Sequence, residues 1–232
     1  MEFEYDTTCR IIRRVNRFKV LVEIDGAREY AYINNTGRLG EFLVENHTAY
    51  CLWRQRPGKT RLRLFAVHDI MGLAALIDTR LQMESFEKLI EIQRIPWLRN
   101  CVWVKRNPRL GGSVLDYLLE CNGEKVYVEV KSAVLRGDHK YAMYPDCPTL
   151  RGRRHIRELT THVERGGKGL IVFIAALPGV EAFKPYSEGD PEILVLLRKA
   201  WEKGVPIKAI NIYYDPDNGR VMLANPDLPV VL

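Results

Sequence analysis

The chain has 232 residues and a formal charge of +6, from 35 Lys and Arg against 29 Asp and Glu. Hydrophobic residues make up 47% and charged residues 28%, ordinary globular values that exclude a disordered chain, a collagen-like rod and a coiled coil. The mild positive balance permits a polyanionic partner without requiring one. From the N-terminus, Arg17–Ile24 and Arg28–Ile33 flank Asp25-Gly26, a hairpin signal. His47–Gln55 and Thr60–Val67 read as two further strands around an Arg56-Pro57-Gly58-Lys59 turn, and Met71–Ile77 as a last strand or buried link. Short strands with turn signals at this spacing suggest a small barrel over residues 1–80.

Beyond residue 80 the pattern changes. Met83–Gln93 places Phe86, Leu89 and Ile90 at helical spacing, and Pro96 follows. Cys101–Val104, Ser113–Cys121 and Lys125–Val134 read as strands, the last two joined by Asn122-Gly123. A helix is expected over Leu150–Arg165, ended by Gly166-Gly167. Gly169–Ala176 has the unbroken apolar character of a strand buried on both faces. A helix over Pro191–Lys203 and a strand over Ile207–Tyr214 complete an α/β order for residues 81–232.

No apolar run approaches the roughly 18 residues of a spanning helix, and MEFEYDTTCR lacks the apolar stretch of a signal peptide. No membrane partner is therefore expected. Five cysteines, an odd number without a C-x-x-C, predict free thiols and no disulfide framework, which makes a cytoplasmic setting the default.

The segment with chemical content is Ser113–Val134. In its second strand Tyr127, Glu129 and Lys131 share one face, with Glu129 and Lys131 about 7 Å apart. Asp116 stands in an otherwise apolar stretch, where a carboxylate is costly unless it is paired or binds a metal. An Asp followed on the next strand by Glu-x-Lys is the arrangement of the restriction-endonuclease-like, or PD-(D/E)XK, nucleases. Asp116, Glu129 and the carbonyl of Val130 would supply hard oxygen ligands to Mg²⁺ or Mn²⁺. Lys131 would orient water or stabilise developing charge.

Several segments match one family in order. They are Arg14, Arg17 and Phe18 in the opening strand, Asn35-Thr36-Gly37, Asp116 within SVLDYLL, and Tyr127–Lys131. Tyr144-Pro145-Asp146 follows, then Arg151-Gly152 with His155 and Glu158-Leu159. The chain thereby resembles the sugar fermentation stimulation protein family over nearly its whole length. The resemblance implies an OB-like β-barrel joined to a restriction-endonuclease-like α/β domain with a mixed central sheet, α+β overall. It also implies association with DNA and metal-dependent phosphodiester hydrolysis.

Candidate nucleic-acid contacts are Arg14, Arg17, Asn35, Arg56 and Lys59 on the barrel side, where basic residues interleave with Tyr32, Tyr50 and Trp53 in the manner of an OB-fold holding a single strand. Arg151 and His155, at the start of the helix after the lysine strand, are candidates for the scissile phosphate. Glu87 and Glu91 are candidates for an outer acid that supports a ligand. Two readings stay open: a Mg²⁺-dependent nuclease, or a DNA-binding protein or regulator on the same scaffold with little or no cleavage. RNA is a second candidate substrate, and a homo-oligomer is allowed. Residues 1–63 hold twelve Lys and Arg against eight Asp and Glu, so four of the six excess charges lie in the first 63 residues.

Overall fold

The computed structural model describes every residue except Arg56, Pro57 and Lys59, so the nucleic-acid contacts expected at Arg56 and Lys59 fall outside the described residues. Five strands open the chain: β1 Thr7–Asn16, β2 Lys19–Ile24, β3 Ala27–Tyr32, β4 Thr48–Trp53 and β5 Leu62–His68. They run in the order β3-β2-β1-β4-β5, and a parallel pairing of β3 with β5 closes the barrel. The β2–β3 turn is Asp25-Gly26, with φ of 50° and 80°. Both angles are positive, as the tight hairpin turns that match strand twist require.

β1 is absent from the sequence expectation. Only Cys9 and Ile11 are buried along TTCRIIRRVN, and its arginines make it read as polar surface. β6, Ala74–Leu76, pairs with β5 on one side and with the late strand β16, Ile207–Asp215, on the other, so the barrel sheet runs directly into the second domain.

Helix α1 spans Thr79–Glu91 and starts four residues earlier than the apolar spacing predicts, because Asp78 caps it by accepting from the Leu81 N–H. The Asp78 carboxylate also takes Asn34 Nδ2 at 2.7 Å and Arg63 Nε at 2.5 Å, both from the barrel. One buried acid therefore ties the helix to the barrel.

The rest follows as β7 Cys101–Arg106, β8 Arg109–Leu110, β9 Ser113–Val114, β10 Tyr117–Cys121 and β11 Glu124–Ala133. Next come β12 Leu135–Gly137, β13 Tyr141–Tyr144, α2 Leu150–Glu164, β14 Lys168–Ala175 and β15 Ala182–Pro185. Finally there are α3 Pro191–Glu202, β16 Ile207–Asp215 and β17 Arg220–Leu228. The central sheet runs β6-β16-β14-β11-β10-β7, parallel across β16, β14 and β11 and antiparallel at β10 and β7. It is the mixed sheet expected. β14 is buried from Gly169 to Ala175, as its unbroken apolar run requires. β17 went unseen because Asn225, Pro226 and Asp227 read as turn residues. Among the described strands it pairs with β16, and such residues are tolerated on an edge.

The cysteine expectation is corrected: Cys101 and Cys121 form a disulfide. The two residues stand directly opposite each other on β7 and β10, a cross-strand adjacency that sequence spacing does not reveal. Cys9, Cys51 and Cys147 are free. Among the described residues no helix is long and apolar enough to cross a membrane.

Candidate active site

The Asn122-Gly123 turn fixes the geometry. Both residues have positive φ, 52° and 83°, and Cys121 pairs with Glu124 immediately across the turn. The register then runs without slip to Tyr117 opposite Val128. One more step sets Asp116 against Glu129. The chain bends at Leu115 and Asp116, where the Leu115 N–H reaches the Pro108 carbonyl and the Asp116 carbonyl accepts from Asn107. Asp116 therefore sits at a bend just before β10, a correction to the single strand expected over Ser113–Cys121. Its Oδ2 accepts the Val130 N–H at 2.7 Å.

Glu129 is only 1% exposed. Its Oε1 accepts from the Lys131 ammonium and from His155 Nδ1, the latter at 2.6 Å. Arg151 Nε, which can only donate, points at His155 Nε2 across 3.3 Å, so the ring proton belongs on Nδ1, facing Glu129. The helical spacing of 151 and 155 thus builds a chain from Arg151 through His155 to Glu129. The other oxygen, Oε2, is buried and has no hydrogen-bond partner among the described residues. A carboxylate held by one oxygen and bare at the other suits a cation, because an unsatisfied buried acceptor is otherwise costly. Asp116 likewise engages only Oδ2 among the described residues.

The electrostatics agree with the geometry. Burial pushes the Asp116 carboxyl up, and the Glu129 charge adds to it, raising it to about 6. Burial would raise Glu129 too, but Lys131 and His155 outweigh it and hold this carboxyl below its ordinary value. Burial would lower Lys131. The Glu129 charge outweighs that and keeps the ammonium charged. The residues present fit a divalent ion held by the two acids. Among the described residues no three His, Cys, Asp or Glu side chains gather as a ready cage. Main-chain, water or substrate oxygens would supply the remaining positions, as they commonly do for Mg²⁺.

Several expected contacts are corrected. His155 is 2% exposed with both ring nitrogens engaged, so it orients Glu129 and does not meet a phosphate. Arg14 donates to the carbonyls of Gly37, Arg38, Arg17 and Asn35, which makes it the support of the 35–37 turn. Asn35 is buried, its amide donating to the Ile77 carbonyl and accepting from the Gly37 N–H. Glu91 pairs with Lys88 on the solvent face of α1, away from the site. Glu87 accepts from the Tyr117 hydroxyl at 2.8 Å and pairs with Arg106, bracing the residue after Asp116. Arg17 and Arg151 are exposed. Tyr144, which the sequence does not assign to the site, packs its ring 5.7 Å from that of Phe173, the residue paired with Lys131 across β11 and β14.

Two family models divide the chain between them. Residues 12–76 match the SfsA N-terminal OB domain, and residues 80–218 match the sugar fermentation stimulation protein RE domain. The chain belongs to the sugar fermentation stimulation protein family. A homolog from Pyrococcus furiosus is 51% identical over 207 residues, 89% of each chain. One from Archaeoglobus fulgidus is 50% identical over 231 residues, covering 100% of this chain and 98% of the relative. The solved structure of Pyrococcus furiosus SfsA in complex with Ca²⁺ superposes over the full length of both chains, with 46% identity and a TM-score of 0.93. The family's OB and nuclease-like domains correspond to the barrel and the mixed-sheet domain described above.

Proposed function

We propose that this family member is a divalent-metal-dependent hydrolase of DNA phosphodiesters. In this reading Asp116, Glu129 and the Val130 carbonyl are the metal ligands, and Lys131 is the charged group beside them. The observation that carries the proposal is the state of Glu129: one oxygen held by Lys131 and His155, the other buried and without a partner, across the hairpin from Asp116. The Ca²⁺ of the Pyrococcus furiosus relative supports a cation in this family, and Ca²⁺ shares with Mg²⁺ and Mn²⁺ a preference for oxygen ligands. A bound Mg²⁺ would lower the pKa of its water and neutralise charge on the phosphoryl oxygens.

The chain's own residues do the rest. Lys131, kept protonated by Glu129, presents positive charge where negative charge grows on the phosphorane. Arg151 and His155 hold Glu129 in one orientation, so its free oxygen is set before a ligand arrives. Arg151, exposed on the first turn of α2, is placed to meet the strand's backbone. The barrel, the shorter domain and so the denser in excess positive charge, grips the strand outside the site.

The test is cleavage of end-labelled single- and double-stranded DNA and RNA with Mg²⁺, Mn²⁺ or EDTA. Wild type is expected to cut DNA with Mg²⁺ or Mn²⁺ and not with EDTA. Asp116→Ala and Lys131→Ala are expected to lose about 100-fold or more. A wild type that binds strands and never cuts with either metal sinks the hydrolase and leaves a DNA-binding regulator on the nuclease scaffold.

A further inference from the structure

A cavity of about 340 Å³ opens on the seam between the barrel and the nuclease-like domain. Its walls come from the Asn34–Gly37 turn, the C-terminal end of β11 at Ser132 and Val134, and the Tyr144–Thr149 segment ahead of α2. The seam is pinned from both sides. Asp146 Oδ2 accepts the Leu39 N–H at 3.0 Å, and a Cβ on Gly37 would lie 2.7 Å from that same oxygen, so Gly37 lets the barrel turn close onto the acid.

The lining chemistry is selective. Among the described residues no Lys or Arg lines the cavity and Asp146 is its one charged residue, so a phosphate is disfavoured there. Leu39, Val134, Leu135, Met143, Pro145 and Pro148 offer apolar walls. Polar groups sit among them. One is Ser132, whose hydroxyl is buried without a partner among the described residues. A flat, neutral group with hydrogen-bonding edges fits this lining, and the volume lies in the range of small-ligand sites.

Two neighbours say what that group is attached to. Asn34 also lines a groove on the barrel formed by Tyr32, Trp53, Arg54, Arg63 and Arg80. In that groove Trp53 is 47% exposed, the Arg54 guanidinium lies 5.3 Å over the Tyr32 ring, and Arg63 keeps a buried nitrogen without a partner among the described residues. An exposed indole and a half-buried tyrosine ring beside guanidinium groups suit a single strand. On the other side, Ser132 follows Lys131 on β11, and Tyr144 borders the cavity while its ring packs 5.7 Å from that of Phe173, the partner of Lys131 on β14. Strand alternation turns Ser132 to the face opposite Lys131. The cavity thus borders the Lys131 face through Tyr144 and reaches behind it through Ser132.

We propose that the seam cavity binds one unstacked nucleobase of a single DNA strand that runs from the Tyr32–Trp53 groove past Asn34 to the Asp116–Glu129 site. The inference rests on the DNA-acting reading of that site and adds to it a base-binding subsite and a strandedness.

The experiment is an abasic scan of a short oligo(dT), with binding measured in Ca²⁺ and in EDTA. One position is expected to lose about tenfold in affinity when its base is removed. In Thr36→Trp, which fills the cavity from its exposed rim, that penalty is expected to shrink to less than about twofold while the intact strand weakens. A flat scan, an unchanged penalty in Thr36→Trp, or no binding of any strand overturns the proposal. Should Thr36→Trp fail to fold, 2-aminopurine walked along the strand decides with wild type. A distinct emission at one position supports the cavity, and identical emission at all positions overturns it. Cleavage plays no part in these readouts. A flat scan from a protein that cuts removes the cavity alone, and a peaked scan from one that never cuts removes hydrolysis alone.

Discussion

At the scale of single residues, Asp116 and Glu129 are two acids of opposite temper on one hairpin. Glu129 has two cationic or donor neighbours on one oxygen, so its ionised form is favoured despite burial. Asp116 has burial and the Glu129 charge against it. Its carboxyl holds a proton more tightly folded than unfolded, so folding takes up a proton between about pH 4 and about pH 6, and stability falls as pH rises through that window. The penalty at neutral pH is about 3 kcal/mol. Asp116→Asn in EDTA should accordingly be more stable than wild type near neutral pH by up to that amount, with no gain near pH 4. Urea melts at the two pH values check this. Glu129 works in the other direction: its contribution is present above the ordinary glutamate range and is lost as pH falls through its lowered value. A cation at the site would relieve Asp116 of its proton, so divalent affinity should weaken by up to about tenfold per pH unit below pH 6.

At the scale of elements, hairpin chemistry carries most of the site. Asn122-Gly123 sets the register that brings 116 to 129, and β11 alternation puts Glu129 and Lys131 on the face that α2 covers with His155. The same register, extended to β7, sets Cys101 opposite Cys121 and so builds the disulfide. Thiol titration of the denatured, unreduced protein should count three free cysteines, rising to five on reduction. With 20 residues of sequence between the partners, loop-closure entropy implies a loss of about 3 kcal/mol for Cys121→Ala, measured by denaturant melts. Five titrated thiols before reduction would remove the bridge from this account. The Asn35-Thr36-Gly37 turn was legible as a motif, but its support was not. Arg14 reads in sequence as one more basic residue, and only the fold shows its guanidinium spread over four carbonyls.

At the scale of the whole molecule, the two domains share one sheet through β6 and one acid through Asp78. A strand bound to the barrel is therefore held in fixed relation to the carboxylates. Binding of single-stranded DNA should weaken linearly on a log–log plot against salt, with about 0.7 of slope for each phosphate met by a Lys or Arg. Arg54→Ala in the barrel groove should reduce the slope by about that much. A slope unchanged in this variant would place the strand elsewhere.

The sequence by itself determined the barrel followed by an α/β domain, the two hairpin turns and the three side chains proposed for the site, but not the strands β1 and β17. These are local signals: turn residues that tolerate positive φ, strand alternation, and an acid in an apolar stretch where a carboxylate needs a reason to be. Only the tertiary structure decided which residues meet. His155 looks like a phosphate contact until α2 packs over β11 and turns it onto Glu129, with Arg151 donating to its other ring nitrogen. Glu87 and Glu91 differ by one helical turn, yet one braces Tyr117 and the other faces solvent. The seam cavity belongs to neither domain alone, because its walls lie about a hundred residues apart in sequence and exist only where Gly37 closes onto Asp146. Side-chain partners across such distances depend on packing, which no local pattern encodes.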